Sequence, residues 1–299
     1  MELSVKNALA TSEEIRKKLC LFRNEIALIN GENIAVSPLP SVHFFTATKC
    51  ASEYIYMHIM VPLAKVIGLT PVRIASLEDM VGINNEYSNV QSEYKSLSMF
   101  ENMNRSVSFP WARNGYFFGP YREYFDSEVW EHDKIILLLR DVRDVMTSHY
   151  FSMKYSHHVP QVQNKARERI LHLREKAHTQ SIDEYVLNLI PKYKYIYGNY
   201  ATNFLGKPNV CFVTYEELVS NAKSWLVKIV SHLELPLLDS DIDTIINATD
   251  FSIPEENAHA HKRQVLPGDH IRKLKPETIA TINEEFGHIL RLFNYPVPA

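Results

Sequence analysis

The sequence predicts an α/β fold, with a central parallel β-sheet flanked by helices. Three observations carry that expectation. Lys134-Ile135-Ile136-Leu137-Leu138-Leu139 is an unbroken apolar run, the pattern of a parallel strand covered on both faces. Val42 to Phe45 and Val210 to Val213 are shorter runs of the same kind. Segments of helical spacing follow these runs, and strands that alternate with helices pair in parallel.

Composition sets the bounds. The chain has 299 residues, 45% hydrophobic and 22% charged, enough for one large core or two smaller ones. A net charge of -3 argues against a general nucleic-acid binder. Cys20, Cys50 and Cys211 are odd in number and widely spaced, which suits free thiols in a reducing compartment. No signal-peptide pattern and no apolar stretch of about 20 residues is present, so a soluble cytoplasmic protein without a membrane span is expected.

Residues 1 to 30 carry helical spacing and read as an N-terminal helical extension to about residue 35. The first strand and its loop occupy 41 to 51, and a helix follows to about Ile67. Residues 71 to 75 read as a short second strand. Residues 80 to 105 are polar and read as mixed helix and loop. The aromatic stretch from Ser106 to Phe118 ends at Gly119-Pro120, a chain-turning pair. After the strand at 134 to 139 a helix spans Val145 to Met153, with Asp141 and Asp144 suited to its positive N-terminal end. Residues 156 to 180 read as an exposed helix or insertion. Ile182 to Phe204 reads as one long amphipathic helix whose tyrosines are packing residues. Helices are expected at about 220–234, 239–247 and 276–292, with a basic loop between 254 and 274.

Two stretches carry chemistry. Ser41 to Tyr56 reads as strand, small-residue loop and helix start, with Lys49 in the loop. Loop N–H groups, the helix N-terminus and the lysine charge together suit an anionic phosphate. The stretch lacks both the G-x-x-x-x-G-K-[ST] and the G-x-G-x-x-G patterns. In Arg140-Asp141-Val142-Arg143-Asp144-Val145-Met146-Thr147-Ser148, an arginine closes a strand and a serine follows two helical turns on. Arg140 offers a bidentate fork to phosphate and Ser148 a hydroxyl. The plainer alternative is that Arg140 pairs with Asp141 or Asp144. Lys49, Arg140 and Tyr215 each fall just after a strand, so the fold brings all three to the carboxyl edge of the sheet.

Together these segments resemble the sulfotransferase family that uses 3′-phosphoadenosine-5′-phosphosulfate (PAPS), whose fold resembles that of the P-loop NTPases. The resemblance covers about residues 40 to 295, within a single domain spanning 1–299. The Lys49-Cys50-Ala51-Ser52-Glu53-Tyr54 loop stands where the family has K-S-G-T-T-W. Arg140 to Ser148 is similar to R-D-P-R-D-V-x-x-S, Tyr215 to Leu218 to Y-E-D-L, and Thr249 to Phe251 to T-x-F. Lys262 to Asp269 partly matches R-K-G-x-x-G-D. The resemblance implies that Lys49 stabilises the leaving phosphate, with Cys50, Ala51, Ser52, Glu53 and Tyr54 around it. It implies that Arg140, Ser148 and Arg263 hold the 3′-phosphate, and that Tyr54, Tyr215, Thr249 and Phe251 surround the adenosine. PAPS is then a co-substrate, its product is 3′-phosphoadenosine 5′-phosphate (PAP), and no metal is needed. The acceptor would be a small molecule, lipid or glycan, with the oligomeric state open. Ala51 replaces a glycine, and the H-x-P histidine of many members is absent at Phe118-Gly119-Pro120. Glu53, Glu123 and His43 remain as candidate bases, Glu53 being the leading choice and His43 more plausible as a paired core residue. Arg113 and Arg122 either face an anionic acceptor or are surface charges. A silent nucleotide-binding protein on the same fold, or a P-loop kinase, are the rival readings.

Overall fold

The structure, a computed structural model, describes residues 34–73, 112–159, 165–249, 255–257, 259–260 and 263–297, together with Asn24 and Ala27. Most of the expected N-terminal helix, the 80–105 segment, Phe251 and Lys262 lie outside the described residues. Five strands form one sheet: β1 (Val42–Thr46), β2 (Thr70–Arg73), β3 (Tyr116–Tyr121), β4 (Lys134–Leu139) and β5 (Val210–Thr214). Their order is β2-β3-β1-β4-β5, and every pairing is parallel. β3, β1 and β4 are the inner strands, with β1 at the centre. All five residues of β1 are buried, as are Ile135 to Leu139 of β4. Each such apolar side chain contributes about 2 kcal/mol when taken from water.

Helices cover the sheet. After β1 come α1 (Ser52–Ile55), a π-turn (Tyr56–Met60) and α2 (Val61–Val66). After β4 comes α3 (Val142–Phe151), then α4 (Lys165–Thr179), α5 (Ile182–Leu187) and α6 (Ile190–Asn203). After β5 come α7 (Tyr215–Ser220), α8 (Ala222–His232), α9 (Asp239–Asn247), α10 (Asp269–Lys273) and α11 (Pro276–Leu292). Asp141 caps α3 by accepting the Arg143 backbone N–H.

Two expectations are corrected. The single helix expected from Ile182 to Phe204 is two helices. A Ser181/Glu184 capping box opens α5, and Pro191 sits in the first turn of α6, where its missing N–H costs nothing. Gly119-Pro120 does not turn the chain but lies inside β3. His43 pairs with Phe118 and Phe45 with Tyr121, so the register slips there as a bulge. The bulge tolerates a proline without an N–H, and Gly119 is needed because a Cβ would lie 2.8 Å from that of Phe44.

His43 is the satisfied core residue expected. Its Nδ1 lies 3.1 Å from the Tyr121 hydroxyl and its Nε2 2.8 Å from an Asp133 carboxylate oxygen. Burial lowers its pKa despite that carboxylate.

Candidate functional site

The carboxyl edge of the sheet is basic because almost every strand ends in a cation. Arg73 closes β2, Lys49 follows β1, Arg122 follows β3 and Arg140 follows β4. Tyr215 follows β5. The Arg140 guanidinium lies 4.6 Å from the centre of the Tyr215 ring, and its Nη1 reaches the Lys49 carbonyl at 3.5 Å. The edge thus gathers Lys49, Arg140 and Tyr215, segments separated by up to 166 positions in sequence (215 minus 49).

Arg140 is almost fully buried, at 4% exposure. It pairs with Asp144 only loosely, at 3.5 Å, and its Nε has no hydrogen-bond partner among the described residues. Asp144 is instead held by the late loop. It accepts from the Gly268 N–H at 2.8 Å, the His270 N–H at 2.9 Å and the His270 Nδ1 at 2.6 Å. Burial alone would raise its pKa, yet the His270 hydrogen bonds and the Arg140 charge hold it well below the usual carboxylate range. Of the two partners that the plainer alternative offered, Arg140 reaches Asp144 and not Asp141. Asp141 takes Arg143 instead, at 2.6 Å.

Lys49 sits beside this arginine with no ion pair to any described residue. Burial first, then the charges of Arg122, Arg140 and Arg263, lower its pKa to about 8. A group of like charges without equal countercharge at a strand edge is a site waiting for an anion. The loop that carries Lys49 is strained. Lys49 has φ 68° and Ala51 has φ 55°, both in the left-handed region where a Cβ is disfavoured. Ala51→Gly is therefore expected to stabilise the protein by about 1 kcal/mol, seen as a raised Tm. No gain would mean that the loop relaxes in solution.

Tyr193, Tyr197 and Tyr200 of α6 pack, as expected, but their hydroxyls also hold the site. Tyr200 donates to the Thr46 carbonyl at 2.9 Å, and Tyr197 to the Arg140 carbonyl at 2.6 Å. The Tyr193 hydroxyl lies 3.0 Å from that of Thr48. The ends of β1 and β4 are thereby tied to one helix. Sequence periodicity found the stripe; nothing in it showed what the hydroxyls would reach.

The remaining candidates divide. Cys50 in the loop and Ser52 at the start of α1 are buried, and burial pushes the Cys50 thiol up to about 11. Tyr54 lies against His58, ring centroids 4.4 Å apart. Ser148 is half-buried on α3, three residues from Val145. Tyr215 donates its hydroxyl to the Val265 carbonyl at 2.8 Å, which leaves only its lone pairs for another group. Thr249 turns its hydroxyl back to the Ile245 carbonyl at 2.8 Å. Arg263 is buried, lies 4.2 Å from the Phe151 ring centre and pairs with both Glu256 and Asp269. Its charge still reaches Lys49.

Among the candidate bases, Glu53 is bound by Arg73 at 2.8 Å and also by Arg122. Arg122 is thus paired with Glu53 while remaining partly exposed. Both Glu53 carboxylate oxygens are thus engaged by guanidinium groups. Glu123, the next residue, is half-buried and makes no hydrogen bond or ion pair with a described residue. Its charge acts on Lys192, Tyr193 and Tyr200, and the Tyr193 hydroxyl in turn meets that of Thr48, the residue before Lys49.

No curated protein matches the chain in sequence. Among solved structures, the mouse sulfotransferase SULT7A1 complexed with PAP is 17% identical, with 91% of this chain and 90% of that one covered and a TM-score of 0.49. Retinol dehydratase in a complex with retinol and PAP is 14% identical, with 92% and 88% covered and a TM-score of 0.45. The Sulfotransferase domain model matches residues 120–278, a span that holds Arg140, Ser148, Tyr215, Thr249 and Arg263 but not Lys49. That match takes in more than half of the chain, which therefore belongs to the sulfotransferase family and is a sulfotransfer enzyme.

Proposed function

We propose that the chain, acting as one domain, moves the sulfuryl group of PAPS to a hydroxyl or amine of a small molecule, lipid or glycan. The observation that carries the donor assignment is the juxtaposition of Lys49 and Arg140 on one edge, neither fully neutralised. Two cationic grips close together suit a ligand with two phosphates. Arg140, helped by Ser148 and the Arg263 charge, takes the 3′-phosphate. Lys49 and the N–H groups of the loop take the 5′ side. Tyr54 would stack on the adenine, and Tyr215 would hydrogen-bond near the adenine or its ribose.

The reaction is an in-line displacement at sulfur. The acceptor oxygen or nitrogen forms a bond to sulfur as the bond from sulfur to the 5′-phosphate oxygen breaks. The electron pair leaves with that phosphate, where Lys49 meets the growing charge. The proton lost by the acceptor passes to a base. Glu123 fills that role better than Glu53, because no arginine pairs with it. Glu123→Gln is expected to lower kcat by about 10² with PAP affinity unchanged. A rate within twofold of the parent would return the role to another group. Titration with PAP by calorimetry tests the whole reading, and absence of binding would overturn it.

A further inference from the structure

A cavity of about 310 Å³ lies against β5, the last strand of the sheet. Its walls come from β5, the start of α7, α8 and the segment that follows α11. The volume is at the lower end of the range for small-ligand sites. The reaction proposed above makes no use of it.

The walls combine aromatic rings with an excess of negative charge. Phe212 and Phe293 meet there with ring centroids 5.3 Å apart and planes 53° apart, and Tyr295 adjoins them. Aromatic faces attract cations. Two carboxylates and one ammonium also line the space: Glu216, Glu217 and Lys228. Lys228 answers Glu217, at 2.8 Å. Glu216 has no such partner. Its Oε1 accepts the Asp141 N–H at 3.0 Å, and its Oε2 takes a long bond of 3.4 Å from the Tyr295 hydroxyl. Arg140 acts on Glu216 electrostatically, but its ion pair is with Asp144. A carboxylate offers about four acceptor positions, so Glu216 has capacity to spare.

This asymmetry selects the ligand. An anion would meet a net negative wall. A neutral molecule would take water from Glu216 and return no charge. A quaternary ammonium would suit the rings but brings no N–H for the carboxylate. A primary ammonium supplies both. Burial already raises the Glu216 pKa to about 7, and an adjacent cation would bring it back down.

We propose that the cavity beside β5 binds a small organic cation, a primary ammonium on a short apolar stem. The ammonium donates to Glu216, and the stem lies against Phe212, Phe293 and Tyr295. The proposal does not rest on the donor reading.

Matched probes test it. 2-Phenylethylammonium and 2-phenylethanol share a stem and differ in charge. Each is titrated into the full chain by calorimetry at about pH 8, above the Glu216 value. The amine is expected to bind about tenfold more tightly than the alcohol, as one charge-assisted contact would give. Glu216→Gln keeps an acceptor for the Asp141 N–H but removes the charge, and should abolish the preference. Phe212→Ala, on the half-buried wall, should weaken both probes. Lys228→Gln releases Glu217 and should tighten amine binding severalfold, a gain that damage to the fold would not produce. Equal binding of amine and alcohol, or a preference that survives Glu216→Gln, overturns the proposal. If Glu216→Gln does not fold, Lys228→Gln decides, and amine binding no tighter than in the parent overturns it.

Discussion

Lys49→Ala is expected to slow sulfuryl transfer by about 10²–10³-fold, the usual consequence of removing a donor from a developing anion. The same change should leave the protein no less stable. Lys49 is desolvated, repelled by three arginines and held at φ 68°, so its removal relieves repulsion. Single-turnover rates and Tm, measured on one preparation, check both halves. A rate loss below about tenfold would remove Lys49 from the transition state. The proton inventory gives a matching pH dependence. A pKa of about 8 means that the free enzyme loses this charge as pH rises through 8. Donor kcat/KM should therefore fall on the alkaline side of that value and be flat below it until another group titrates.

Asp144→Ala is expected to cost about 3–5 kcal/mol of stability, the range seen when one partner of a buried ion pair is deleted. The carboxylate is wholly buried and joins two parts of the chain: Arg140 after β4, and the Gly268 and His270 N–H groups of the late segment. Its loss leaves the Arg140 guanidinium and two backbone donors in the interior without it. Denaturant unfolding measures the cost, and a loss under about 1 kcal/mol would show that the late loop is held by other contacts. Because the folded pKa is depressed, the carboxylate stabilises fully above its unfolded value of about 4. That contribution declines as pH falls from there towards the folded pKa. Asp144→Asn should consequently flatten the acid limb of the stability profile.

How much was legible follows from the kind of signal. The continuous apolar run from Ile135 to Leu139 identified the buried inner strand, because a strand covered on both faces has no polar position to disguise it. Strand ends then placed Lys49, Arg140 and Tyr215 on one edge. β3 was missed because Gly119-Pro120 reads locally as a turn, and only the packing of Phe44 against Gly119 makes it a bulge. The ion pairs of Glu53 with Arg73 and Arg122 join residues 20 and 69 positions apart, so no local pattern holds them. Glu53 led the candidate bases in sequence because it sits in the phosphate loop, and nothing local ranked Glu123 above it. What distinguishes the two is which carboxylate the arginines reach.

The hydroxyls of Tyr193, Tyr197 and Tyr200 give α6 a mechanical role. One rigid rod sets the separation of the β1 and β4 termini, as a spacer bar sets the gap between two rails. A tilt of that rod is therefore shared by the lysine turn and by the arginine beyond it.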